Sequence, residues 1–558
     1  MSLNILTFGL FYLIIIYSTI GTGYLVCHLT KIKRTNYNFG YLGLIGVFVL
    51  IIFSYTSHYF LSHNYIHNIL LLFVGLISFI FFINKDKSKK DLTKLNILFL
   101  ILFISFLIYK THDDFPYYHF PYIHYLTQNE LLIGVGNFNH GFRTPSSIFY
   151  LNSLYNLPFI NHYFFQLGAV KIMGFTIFIF LKTIEQSFKT QKYDQYFFLS
   201  LLSFIFILIF FYRIAEHGTD RTAQILTFLF IFELLFLFNN KVLLKDNLIK
   251  LLILLGIIIS LKAFYLLYFL FAIPVIYFFL KEKKIENFIL IFKNYFFYLF
   301  LLMLINILIV NFFNSGCLIY PVFFTCFDNF SWSIPISEVL IMNDWYEQWA
   351  KAGANPNFRV DNSEEYIQKL NWFSNWFYEY FFTKVSDFLF GIIFIIIIFL
   401  IFFASSKKNK TNIKGNKSIY LVLLLLFMEW FYNHPSLRYG GYSLICLLFF
   451  LPISYYLSKS ENIKRVKLKS IILICLTLII FISRNIDRII NENEKYQYNP
   501  LNDVKYYVDQ KHFRISNKFD YLIREKLNCK MNDKICKKNL DEIDVKEKFG
   551  YKIFYRIK

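Results

Sequence analysis

Apolar runs of about 18–22 residues recur along most of the chain, each closed by a short polar stretch, and a run of that length lets an α-helix cross the hydrocarbon core of a bilayer. In order, they predict helices over about 5–27, 39–56, 67–84, 95–110, 161–181 and 196–212. A further helix lies between the polar stretches 213–221 and 241–250. The run 251–280 has lysines at both ends, which predicts two short helices meeting near Lys262 rather than one span. Later helices fall at about 294–312, 383–404 and 418–431, then one after the stretch 433–442, and one at about 470–483. The segment 148–160 is broken by Asn and Pro and predicts a short helix lying along or dipping into the interface. The expected fold is an all-α, polytopic transmembrane bundle of about 14 spans.

Composition removes the alternatives to this picture. Of 558 residues, 57% are hydrophobic and only 17% charged, so a soluble domain is excluded. A net charge of +21 would point to nucleic acid in a soluble chain. Here the basic residues gather in short loops such as KIKRTNYN (31–38), KDKSKKDLTK (85–94) and KEKK (281–284). Such loops mark the cytoplasmic face and touch anionic lipid, and no nucleic-acid partner is expected. The outer loops 111–160 and 313–382 and both termini then lie on the extracytoplasmic side. This divides the chain into a transmembrane domain, 1–484, and an extracytoplasmic tail, 485–558. The first run lacks a basic start and a small-residue cleavage site, and reads as a retained helix.

Candidate chemistry concentrates on the outer side. The polar, aromatic stretch 111–147 opens with Asp113 and Asp114, just beyond the fourth run. Carboxylates at the end of a membrane helix are costly unless they face water, a cation or a reacting group; the plainer reading is a solvated loop that ends a helix. The same side carries His119, Arg143, Arg213, Glu429, His434 and Arg438, joined by Lys262 if two helices meet there. Cations at a membrane interface hold phosphate, while carboxylates hold a divalent ion or accept a proton. Glu429 and Arg438 are close enough in sequence to pair with each other, as structure or as part of a site. Cys317 with Cys326, and Cys529 with Cys536, form two local pairs on the oxidising side and predict two disulfides.

The multispan pattern over most of 1–484, with THDDFPYYHFPYI in the first large outer loop, NSGCLIYPVFFTCF at 314–327, SWSI, NDWYEQWAKAG and HPSLRYGGY, resembles the GT-C superfamily of membrane glycosyltransferases. It is particularly similar to bacterial mannosyl- and arabinosyltransferase-like proteins. The resemblance implies a bacterial plasma-membrane enzyme that transfers a sugar, with inversion, from a polyprenyl-phosphate donor to an extracytoplasmic glycan or lipid-linked acceptor. It assigns Asp113 and Asp114 to the acidic motif, as catalytic groups and as ligands of a divalent ion such as Mg or Mn. His119, Arg143, Arg213, Lys262, Glu429, His434 and Arg438 then become substrate-binding. The two acids are adjacent, whereas a DxD motif separates them. A transporter or flippase of lipid-linked saccharides, or a non-catalytic protein of envelope assembly, is the alternative, and the oligomeric state is open.

Overall fold

The computed structural model describes residues 3–33, 37–84, 89–216, 218–239, 244–355, 360–405, 416–460, 463–527 and 542–557. Helices stand at each of the predicted apolar runs. Among the described residues ten are long and apolar enough to cross a membrane, from Ile5–Leu29 to Val466–Tyr496. Gln195–Phe210 is apolar but shorter. Lys89–Phe106, Leu244–Leu261 and Asn416–Asn433 stand beside them in the bundle. The first three helices approach backbone to backbone: a Cβ at Gly21 would lie 1.8 Å from the Gly75 carbonyl oxygen, and one at Gly46 1.9 Å from that of Thr19. Small residues permit such contact where lipid offers no hydrophobic drive to association.

The chain does break at Lys262, whose backbone is extended (φ −163°, ψ 142°) between Leu244–Leu261 and the 3-10 turns Ala263–Phe271. The first helix begins back in the basic loop, so it is longer than the apolar run alone predicts. Of residues 148–160, the helical part is buried, while Phe159 beyond it is exposed. Ser147–Ser153 is a buried helix, tied inward where Ser54 Oγ donates to the Tyr150 carbonyl at 2.7 Å.

Two features add detail to this mostly helical architecture. The helix Val466–Tyr496 runs past 484 without interruption. Its polar end docks on the end of Lys89–Phe106: Arg488 Nη2 donates to the Leu107 carbonyl at 2.8 Å, and Glu492 accepts from the Tyr109 amide at 3.2 Å. Arg488 thereby satisfies a carbonyl that the ending helix leaves unpaired. The tail also carries a β-hairpin, Ile543–Lys548 with Tyr551–Arg556, in an otherwise helical protein. Its turn residues Phe549 and Gly550 both have positive φ (54° and 80°), the geometry that matches the twist of paired strands. The hairpin docks on the polar stretch 111–147, where the Phe554 amide donates to the Ile133 carbonyl at 2.8 Å. Leu3 bonds Asp503 and Val504, so the start of the first helix meets the tail as well.

Candidate functional site

The polar stretch 111–147 turns into the bundle through FPYYHFP, where Pro116 and Pro121 lack the amides that an ordinary helical turn would use. The result is a wide π-turn over Phe115–His119, closed by the Phe120 amide on the Phe115 carbonyl, and Asp114 stands at its start. Single π-turns interrupt helices mostly at functional positions.

Arg438 comes from the opposite side of the sequence, in the short turn Leu437–Tyr439 between two helices. Gly440 follows at φ 105°, a conformation that glycine adopts without a Cβ penalty, and reverses the chain into Gly441–Ser458. Gln224 fixes this turn from the neighbouring helix: its Nε2 donates to the Arg438 carbonyl at 3.0 Å and its Oε1 accepts from the Ser443 amide at 3.1 Å.

The Arg438 guanidinium is shared between two carboxylates. Nη2 meets Asp114 Oδ2, and Nε donates to Asp220 Oδ2 at 2.5 Å. Asp220 opens the helix Asp220–Asn239, where a carboxylate also complements the partial positive charge of the helix start. Its Oδ1 accepts from Lys262 Nζ at 2.5 Å. The helix break places Lys262 there, with Nζ 4.1 Å from the centre of the Tyr439 ring. His112 Nδ1 lies 3.5 Å from Asp114 Oδ2. The site is thus an alternating row: Asp114, Arg438, Asp220, Lys262.

Charge states follow from this geometry. Burial alone would raise the Asp114 pKa, but Arg438, His119 and His112 outweigh it and hold the carboxyl below its usual value. Burial opposes charge on Arg438 too, and Asp220 and Asp114 overcome it, so its pKa is raised. Burial pushes the His119 imidazole down to about 3, leaving it neutral near pH 7. Its Nε2 is buried without a hydrogen-bond partner among the described residues.

The expected site residues separate into groups. Asp114, Lys262 and Arg438 come together, with His119 close behind. Asp113, one position from Asp114, is exposed and makes no ion pair or hydrogen bond among the described residues. Arg143 is buried in a different cluster, with Nη1 donating to the Tyr320 hydroxyl at 2.7 Å and Nη2 on Glu338. Arg213 pairs with Glu216 three residues on. Glu429 accepts from Asn433 at 3.2 Å and has no contact with Arg438, while its Oε2 is buried without a hydrogen-bond partner among the described residues. His434 packs edge-on to Tyr439, their centres 5.9 Å apart.

Asp220 escaped sequence reasoning, although an acid beginning an apolar run was as strong a signal there as at Asp114. Cys317 and Cys326 are joined, S–S 2.10 Å, as expected. Cys529 and Cys536 lie outside the described residues. Among the described residues no group of three or more His, Cys, Asp or Glu side chains is placed to hold a metal ion. The carboxylates of the row are already neutralised by Arg438 and Lys262, a donor set that suits a cation poorly.

Glu338 closes the second cluster, since Arg556 from the hairpin also binds it, Nη1 to Oε2 at 2.6 Å. One carboxylate therefore ties the stretch 111–147 to the tail, and through Arg143 and Tyr320 to the disulfide loop. Glu338→Gln should free the hairpin, costing about 2 kcal/mol of local stability. Limited proteolysis checks this: cleavage within 542–557 is expected to speed up while the helical core stays intact.

A family model described as a domain of unknown function, DUF8201, matches residues 5–445. No curated protein and no solved structure matches the chain.

Proposed function

We propose, starting from a chain that belongs to the DUF8201 family over residues 5–445, that this polytopic membrane protein is a glycosyltransferase acting on a lipid-phosphate-linked sugar. The matched range contains the whole row of Asp114, Asp220, Lys262 and Arg438. That row is the observation supporting the proposal: two cations and two carboxylates gathered where helices end, not along the middle of one span.

In the proposed reaction the donor phosphate binds Arg438 and Lys262, since guanidinium and ammonium groups are good phosphate partners. Asp114 gives up its share of Arg438 to the phosphate. Freed from that cation and facing a new anion, its carboxylate becomes a stronger base. The acceptor hydroxyl loses its proton to Asp114 as its oxygen attacks the anomeric carbon. The bond from that carbon to the phosphate oxygen breaks, and the electron pair leaves with the lipid phosphate, stabilised by the two cations. Asp220 holds both cations in place throughout. No step requires a metal.

Transport of an intact lipid-linked saccharide is the second reading, favoured by charges deeper in the bundle. Lys171 is fully buried and donates to Thr19 Oγ1 at 2.7 Å, and Glu233 is buried with Lys250 Nζ 3.7 Å away. Charged groups inside spans often mark a translocation route. Purified protein in liposomes, given a panel of polyprenyl-phosphate sugars, separates the two. Release of polyprenyl phosphate with glycosylation of an acceptor is expected; movement of uncleaved donor across the bilayer selects transport.

A further inference from the structure

The helix Ile336–Lys351 is held at both ends beside the charged row. Near its start, Glu338 is clamped by Arg143 and Arg556. At its end, Lys351 is completely buried, with Nζ donating to Glu347 at 2.5 Å and to the Ile367 carbonyl at 2.6 Å. Between the clamps, Trp345 and Trp349 are four residues apart and so share one helix face. Both are only partly covered.

That face looks onto the row. Trp349 packs on Tyr439, centres 5.6 Å apart, and Tyr439 is the ring beneath Lys262. One turn back, Trp345 approaches His140, centres 6.1 Å apart, and Tyr346 approaches the same imidazole at 6.2 Å. His140 Nδ1 is 3.5 Å from the hydroxyl of Tyr117, which is 53% exposed. The residues Trp345, Tyr346, His140 and Tyr117 therefore form a half-open aromatic wall with polar tips, continuous through Tyr439 with the cation pair.

We infer that this wall is a saccharide subsite, and, resting on the transferase proposal, that it takes a sugar ring of the acceptor. A pyranose has an apolar face of C–H groups that lies on an aromatic ring and a rim of hydroxyls that bond to groups such as the Tyr117 hydroxyl and His140. Trp349 stands next to the cations and so beside the donor. Trp345 is one helical turn, about 6 Å, further from them, close to the length of a sugar residue. His140 in the wall also feels the Asp114 carboxylate, which opposes the lowering that burial and Arg143 impose on its imidazole, so the wall reaches toward the Asp114 end of the row as well.

The experiment titrates purified protein in detergent with a panel of neutral di- to tetrasaccharides, read by tryptophan fluorescence, with the liposome assay alongside. At least one oligosaccharide is expected to bind. Trp345→Ala should weaken its affinity roughly tenfold or more, and Trp345→Phe should restore most of it. In the liposome assay Trp345→Ala should raise the acceptor KM by a similar factor, and Trp345→Phe should restore most of it. Because Trp345 is partly exposed, its truncation leaves the core intact. Donor cleavage by a wild-type protein that binds no oligosaccharide overturns the subsite and leaves the transferase standing. Oligosaccharide binding lost in Trp345→Ala, with no donor cleavage by the wild type, keeps the subsite and removes the transferase. An altered donor KM in Trp345→Ala with unaltered oligosaccharide affinity overturns the assignment to the acceptor.

Discussion

Asp114→Asn is expected to lower sugar transfer by about 10²-fold or more in kcat, with little change in donor KM. Asparagine keeps the shape and one accepting oxygen but cannot take up a proton. Arg438 keeps its bond to Asp220, so the donor phosphate still finds its cations. Asp113→Asn is the matched control, because the Asp113 side chain is exposed and outside the row; it should retain most activity. Turnover of a polyprenyl-phosphate sugar in liposomes measures both. The same substitution bears on acid stability. The Asp114 pKa is depressed in the folded protein, so its contribution is complete above its unfolded pKa, about 4. That contribution disappears as pH falls through the lower folded value. Wild type should therefore lose stability below about pH 4 through this group, and Asp114→Asn should lack that part of the loss.

Asp220→Asn should act mainly on the fold. Its carboxylate is buried and is the only group of the row that binds both Lys262 and Arg438. Neutralising it leaves two neighbouring cations with one shared anion fewer, at a cost of about 3 kcal/mol. Thermal unfolding in detergent should show a clear fall in midpoint. Adding Lys262→Gln should recover part of the loss, because it removes one of the stranded charges, so the two changes together cost less than their sum. Strict additivity would mean that the ion pair carries no coupling energy.

Much of the bundle could be read directly from residues. Apolar length placed the helices, and lysines at both ends of 251–280 placed the break at Lys262, because a helix whose two ends prefer the same side has to turn back. The local pairing of Cys317 with Cys326 was equally legible. What escaped depends on distances that no local pattern encodes. Arg438 finds Asp220 across 218 positions and Asp114 across 324. Glu429 looked like a partner for Arg438, yet Asn433 lies one turn ahead of it on the same helix, and the turn beyond carries Arg438 away. Asp113 and Asp114 look alike in sequence. A single residue of helical phase sends one outward and the other into the row. The hairpin in the tail was missed because its strands carry lysines and acids in a segment dominated by polar residues, where alternation is weak.

The link between Leu3 and Asp503, with that between Ile133 and Phe554, also governs biogenesis. Ribosomes deliver these partners hundreds of codons apart, so the earlier ones must wait until the later ones have been made. Until then Ile133 waits without its strand partner, and the Arg143 clamp lacks Arg556. A premature stop shortly before codon 543 would leave the charged row encoded in full, yet leave Ile133 without its bridge and Glu338 with Arg143 alone.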